Sequence, residues 1–247
     1  MSVRIAPLRL DRFELLPKHA RRCVFWEVDP AALGGDHQLA DPEFEKEAWL
    51  SMVMLEWGCC GQVATAVAPD RVGDPPCLGY VLYAPPRAVP RAHRFPTAPV
   101  SADAVLLTSM GVEPGPLSSD VQRDLIARSV DELVRRGVRA LEAFGRTAAV
   151  SELLDQRYAD PDVAPVLEAL GDCSLEHCVI DADFLQDVGF TVVAPHRYFP
   201  RLRLELDEGL GWKAEVEAAL EGLLENARLQ EPVGAGAPVA TAAATTR

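Results

Sequence analysis

The chain has 247 residues, 49% hydrophobic and 25% charged, with 24 Lys and Arg against 37 Asp and Glu, a formal net charge of −13 and a pI near 4.8. Such a composition suits one large globular domain with a real core. The acidic balance argues against nonspecific nucleic-acid or anionic-membrane binding, because the long-range field repels both. No apolar run reaches transmembrane length, and the first residues lack the extended apolar segment of a secretory signal, so a cytoplasmic protein is expected.

In chain order, Val3 to Leu10 reads as a strand, and Asp11 to Leu16 as a short helix capped by Asp11. The basic run Lys18 to Arg22 leads into Cys23-Val-Phe-Trp-Glu27, which sets a thiol, two aromatics and a carboxylate close together. Pro42 to Trp57 has helical apolar spacing through Phe44, Trp49, Met52, Val53 and Leu55, with Gly58 as its stop. Gly61 to Val67 and Cys77 to Tyr83 are two strands of a hairpin. Residues 84–101 carry Pro85, Pro86, Pro90, Pro96 and Pro99, so regular structure is not expected there. The segment is either a functional loop or a surface wrap. Its Arg87, Arg91, His93 and Arg94 are the local candidates for an anionic substrate group or for phosphates.

Ala104 to Met110 is a buried strand broken by Gly111-Val-Glu-Pro-Gly-Pro116. Ser119 and Gln122 have the spacing of a capping box for a helix that runs through Val121, Leu125, Ile126, Val130, Leu133 and Val134 to Arg136 and Gly137. Val138 to Phe144 is the next strand. This strand, loop, helix and strand form a unit long enough for a right-handed parallel crossover, whose helix N-terminus is an anion site. Residues 146–180 hold two helical stretches, Ala148 to Tyr158 and Val163 to Leu170. Asp181 to Gly189 is a capped helix, followed by strands at Phe190 to Val193 and Leu202 to Leu206. Trp212 to Leu224 is amphipathic, and from Glu231 the chain reads as a disordered tail. Two regions are therefore expected, a domain over 1–230 and a tail over 231–247.

This order resembles the acyl-CoA-binding core of the GNAT family of N-acetyltransferases. Val112-Glu113-Pro114 matches the family's Val-x-Pro element. Phe184-Leu-x-x-x-Gly-Phe-x-Val-Val-x-x-His196, with Tyr198, Pro200 and Leu-Arg-Leu-Glu-Leu206, is similar to a bacterial subgroup, as is Cys23-Val-Phe-Trp-Glu27. The resemblance implies an α/β (α+β) fold: a mixed, mostly antiparallel twisted sheet with a central parallel strand-helix-strand unit and flanking helices. The segment at 146–180 is then a helical insertion, either lidding the acceptor cleft or packing on the sheet edge.

The resemblance also implies acyl transfer from acetyl-CoA to an amine acceptor, small molecule or protein, with no nucleic-acid or membrane partner. Met110, Gly111 and Val112 would contact the pantetheine arm, and Leu117, Ser118, Ser119, Asp120, Val121, Gln122 and Arg123 would hold the diphosphate. That loop departs from the family's Arg/Gln-x-x-Gly-x-Gly/Ala pattern. Leu117 stands at the Arg position, Ser118 or Ser119, Asp120 and Gln122 at the glycines, and the capping box would occupy the free amides. The alternative is therefore a degenerate binding or regulatory module with weak or lost CoA binding.

Direct transfer needs a base for the amine and an acid for the leaving thiolate. Glu27 and Glu142 are the base candidates, against an exposed Glu beside packing aromatics for the first and an outward-facing strand position for the second. Tyr198 is the candidate acid, against a surface or binding role beside Arg197 and Arg201. Leu185 stands where the family often places a tyrosine acid. The six cysteines form no Cys-x-x-Cys pair. A zinc site from Cys173, His177 and Cys178, with or without Cys59 and Cys60, has poor chelating spacing, and reduced thiols are the simpler reading.

Overall fold

The computed structural model describes residues 2–29, 41–67, 75–155, 161, 163–164, 166–167 and 174–206. Residues 1–207 form one compact unit and 208–247 another. The expected helix at 212–224, the tail and half of the stretch at 163–170 lie outside the described residues.

The sheet has eight strands: β1 (Ser2–Pro7), β2 (Gly61–Val67), β3 (Cys77–Ala84), β4 (Ala104–Val112), β5 (Ala140–Arg146), β6 (Ile180–Asp181), β7 (Thr191–Ala194) and β8 (Arg201–Glu205). Their order is β1-β2-β3-β4-β5-β8-β7, with β6 joined to β5 off that path. Only β4 with β5 and β5 with β6 run parallel, so the sheet is mixed and mostly antiparallel, as the resemblance implies. The expected hairpin forms between β2 and β3, with a register shift after Ala64.

Helix α1 (Lys18–Arg22) and α2 (Pro42–Glu56) cover one face. On it Trp26, Trp49, Leu50, Val53, Phe95 and Phe199 meet Val63, Tyr80, Leu82, Leu106 and Phe144 of the sheet. Phe95 stacks on both Trp26 and Phe144, at centroid distances of 5.0 and 4.3 Å. The proline-rich segment after β3 is therefore not a loose wrap. It makes two short 3-10 turns, Pro86–Ala88 and Pro90–Arg94, and buries Val89, Ala92 and Phe95. The opposite face carries α3 (Ser118–Arg135), whose Val121, Leu125, Ile126 and Leu133 pack on Val81, Tyr83, Val105, Leu107 and Leu141. Burying each such side chain contributes about 1.5–3 kcal/mol.

Several ends differ from expectation. Asp11 does not cap its helix: the 3-10 segment is Leu10–Leu15, and Asp11 pairs with Arg9 at 3.1 Å from inside the first turn. In α2, Asp41 accepts from the amides of Glu43 and Phe44, and Gly58 ends the chain turn with φ +104, where only glycine sits without strain. Phe44 and Leu55 of its apolar set face solvent. The carbonyls at that end are capped by Arg136, which donates from Nη1 to Cys59 O at 2.7 Å and from Nη2 to Trp57 O at 2.5 Å, with its guanidinium 3.7 Å over the Trp57 ring.

After β5 come α4 (Val150–Asp155), α5 (Leu175–Cys178), β6 and α6 (Ala182–Asp187). Asp181 caps α6 by accepting from the amides of Asp183 and Phe184, and Gly189 follows at φ +100, as the sequence pattern implies.

Candidate active site

The parallel unit places the site. β4 and β5 pair only at Ala104 with Ala140, Val105 with Leu141 and Leu106 with Glu142. Beyond Leu106, β4 stays on β3 as far as Val112, whereas β5 stays on β8. The two strands part, and α3 begins just beyond the far end of β4.

The gap is filled by the chain itself. The Gly145 and Thr147 amides donate to Pro200 O and Tyr198 O on the β8 side, so Ile180 and Asp181 of β6 pair with Gly145 and Arg146 along the other edge, the one β4 has left. β6 touches both β4 and β5, and α5 packs beside β4. Leu175, Cys178 and Val179 are buried there, and Trp26 Nε1 holds Cys178 O at 2.7 Å.

On β4, Met110, Gly111 and Val112 lie opposite Val81, Tyr80 and Gly79. A Cβ on Gly111 would stand 2.6 Å from Cε1 of Tyr80, so the glycine seats that ring. Burial pushes the Tyr80 hydroxyl well above its ordinary pKa, which keeps it protonated and makes it a poor proton donor.

The capping box at Ser119 and Gln122 does not form. The N-cap falls two residues earlier, at Leu117, with no side-chain cap. Ser118 N donates to Gly115 O and Val121 N to Leu117 O, and the amides of Ser119 and Asp120 make no hydrogen bond within the described residues. The Gly-Pro pair at 115–116 turns the chain into the helix before Ser119 reaches a capping geometry. Two bare amides at a helix N-terminus suit an anion, so backbone here fits a diphosphate. Asp120 stands in the same first turn, exposed with Ser119 and Arg123, while Val121 is committed to the core.

The three proposed acid and base residues are not gathered at the gap. Glu142 does not face outward. It is fully buried, and it accepts from Ser101 N at 3.1 Å, Arg201 Nη1 at 2.5 Å and Arg203 Nη1 at 3.1 Å. Burial alone would raise its carboxyl, but those donors outweigh it and hold the group below its ordinary 4.5. Glu27 is not exposed either. Lys46 Nζ donates to its Oε1 at 2.5 Å, and Oε2 has no hydrogen-bond partner among the described residues. Burial is the largest influence and raises the Glu27 carboxyl despite Lys46. Tyr198 is buried rather than superficial, on the β8 side of β5, and its amide donates to His196 Nδ1 at 3.1 Å. Arg91 is buried as well and donates to Phe25 O and Val28 O, which removes it as a phosphate ligand.

Sequence reasoning missed Lys46, although it lies three, four and seven residues before Trp49, Leu50 and Val53 on the buried stripe of α2, a place where a cation needs a buried partner. It also missed the filling of the gap by 175–181, for which the sequence carries no local signal. Two described cavities, of about 490 and 440 Å³, lie elsewhere: one beside Ala104, Val105, Val138 and Arg139 at the paired end of the strands, the other beside Arg4, Leu8, Arg12 and Val63. No helix among the described residues is long and apolar enough to cross a membrane.

No protein-family model and no curated protein matches the sequence. Solved structures do match. The PaiA N-acetyltransferase from Thermoplasma acidophilum, in complex with coenzyme A, is 12% identical over 83% of this chain and 99% of its own, with a TM-score of 0.43. An N-acetyltransferase from Staphylococcus aureus Mu50 is 11% identical over 83% and 99%, at 0.44. A GCN5-related N-acetyltransferase from Kribbella flavida is 15% identical over 82% and 97%, at 0.41. The topology described above is a mixed sheet whose central parallel strand-helix-strand unit opens toward the helix N-terminus, the arrangement expected from the sequence.

Proposed function

We propose that this chain is an N-acetyltransferase that moves an acyl group from CoA to an amine. The observation that carries the reading is the parting of β4 from β5 after Leu106, with the bare Ser119 and Asp120 amides at the start of α3. Those amides would receive the diphosphate, and the backbone of Met110 to Val112 would receive the pantetheine arm. The cofactor supplies an activated thioester. The chain's part is to orient it and to bring in the amine, and neither Glu27 nor Glu142 serves as base, since each is committed to a buried ion pair.

A second reading, a degenerate binding or regulatory module, is favoured by one observation: residues 175–181 stand in the gap where the acyl end would lie. Calorimetric titration of acetyl-CoA, with release of free CoA measured over a panel of primary amines, separates the two. The enzyme reading expects measurable binding and thiol release. A carboxylate within a few ångströms of a diphosphate costs on the order of 1 kcal/mol, so Asp120→Gly should tighten binding several-fold. Absent binding in both proteins, with no thiol released, would leave the second reading standing.

A further inference from the structure

The insertion carries a feature that acyl transfer does not use. Cys23 and Cys178 lie 155 residues apart in sequence, yet Cys23 Sγ, just past the end of α1, stands 3.5 Å from Cys178 Sγ at the end of α5. His19 precedes Cys23 by four residues, the spacing that puts two side chains on one helix face. One ligand atom from each of His19, Cys23 and Cys178 falls within 4.8 Å of the others. His19 Nε2 is buried and has no hydrogen-bond partner among the described residues, an arrangement that a satisfied core histidine does not show. Cys178 is buried, and neither cysteine is in a disulfide.

We propose that His19, Cys23 and Cys178 form a zinc site that fastens the insertion to α1. Two sulfurs and one imidazole nitrogen are a donor set that favours Zn²⁺ over the oxygen-seeking ions. Bond lengths of about 2.3 Å to sulfur and 2.0–2.1 Å to nitrogen set tetrahedral ligand separations of roughly 3.5–3.8 Å. The two sulfurs already stand at such a separation, and a rotamer change at His19 brings in the third ligand. Water fills the fourth position. Both thiols give up their protons to solvent on binding, so two thiolates balance the charge of the ion. The shell around the ligands is already fixed: Lys46 Nζ holds Cys23 O at 3.0 Å and Trp26 Nε1 holds Cys178 O. This pairing differs from the sequence-based grouping with Cys173, which lies outside the described residues, and with Cys59 and Cys60. Because α5 packs beside β4 and leads directly into β6, which pairs with β5, the ion would hold that filling in place. The site stands or falls independently of acyl transfer.

The test uses the full chain, stripped by chelator and kept reduced. Zn²⁺ is titrated against a competing chromophoric chelator, and Co²⁺ serves as the spectroscopic substitute. The expected result is one ion per chain, thiolate-to-cobalt charge transfer with a tetrahedral visible band, and a raised Tm with Zn²⁺. Cys23→Ser and Cys178→Ser should each abolish the charge-transfer signature, His19→Ala should weaken Zn²⁺ at least tenfold, and Cys77→Ser should change nothing. If Cys178→Ser fails to fold, Cys23→Ser and His19→Ala carry the test. Uptake that Cys23→Ser leaves intact, a cobalt spectrum without thiolate bands, or two thiols that join in a disulfide and take up no zinc after reduction would each overturn the site.

Discussion

Two buried carboxylates stand in one sheet protein and are managed in opposite ways. Around Glu142, at the closed base of the parallel pair, three donors from Ser101, Arg201 and Arg203 meet the two oxygens, and Arg203 is itself held by Asp103 at 3.0 Å and Glu205 at 2.5 Å. Around Glu27, under α2, one lysine meets one oxygen and the other oxygen has no hydrogen-bond partner among the described residues. The first is held ionised and the second is pushed toward protonation. At Glu142 the donors outweigh desolvation, and at Glu27 desolvation outweighs the single lysine.

The largest effect should come from breaking the complete network. Glu142→Ala leaves Arg201 without its carboxylate and should cost about 3 kcal/mol, near the low end for a buried pair because Arg203 keeps two other partners. Chemical denaturation reads this, and a loss under 1 kcal/mol would mean that the arginines find water. Lys46→Met should cost less, about 2 kcal/mol, since Glu27 can relieve itself by taking a proton. The double variant Glu27→Gln with Lys46→Met should recover most of that loss, and additive losses would show that the pair does not act as a unit.

Trp26→Phe keeps the stack on Phe95 but removes the donor to Cys178 O, for about 1 kcal/mol. Hydrogen exchange should then quicken over residues 175–181 and stay slow over 104–106. Equal change in both would deny that the gap filling is a separate unit.

The smallest effect is the most specific. A lowered carboxyl contributes stability above its unfolded pKa and loses it as pH falls, so Glu142 should give a loss below about pH 4.5 that Glu142→Gln lacks. A raised carboxyl binds more protons folded than unfolded, so Glu27 should give a loss as pH rises above 4.5 that Glu27→Gln lacks. Slopes of one sign in both variants would refute the contrast.

The parallel crossover was readable because the apolar run at 104–110, the Pro-Gly break and the amphipathic helix are local patterns, each set by neighbours a few residues away. The fate of Glu27 and Glu142 was not, because burial at a strand or loop position depends on what covers it, and the covering residues are Lys46, Arg201 and Arg203, 19, 59 and 61 residues off. Ser119 and Gln122 show a third limit. Their spacing is right for a box, but the helix entry is fixed by Gly115 and Pro116, so the pattern slips two residues past the N-cap and its bonds are never made.

Arg136 belongs to the end of α3 on one face of the sheet, while the Trp57 and Cys59 carbonyls it caps belong to the end of α2 on the other. A single guanidinium thus buttons the two coats of the sheet together around its margin. Neither coat can lift without exposing uncapped carbonyls and an indole face, so breathing of one helical layer should register in the other. Lysine, with a point charge in place of a planar fork, would leave that seam half fastened.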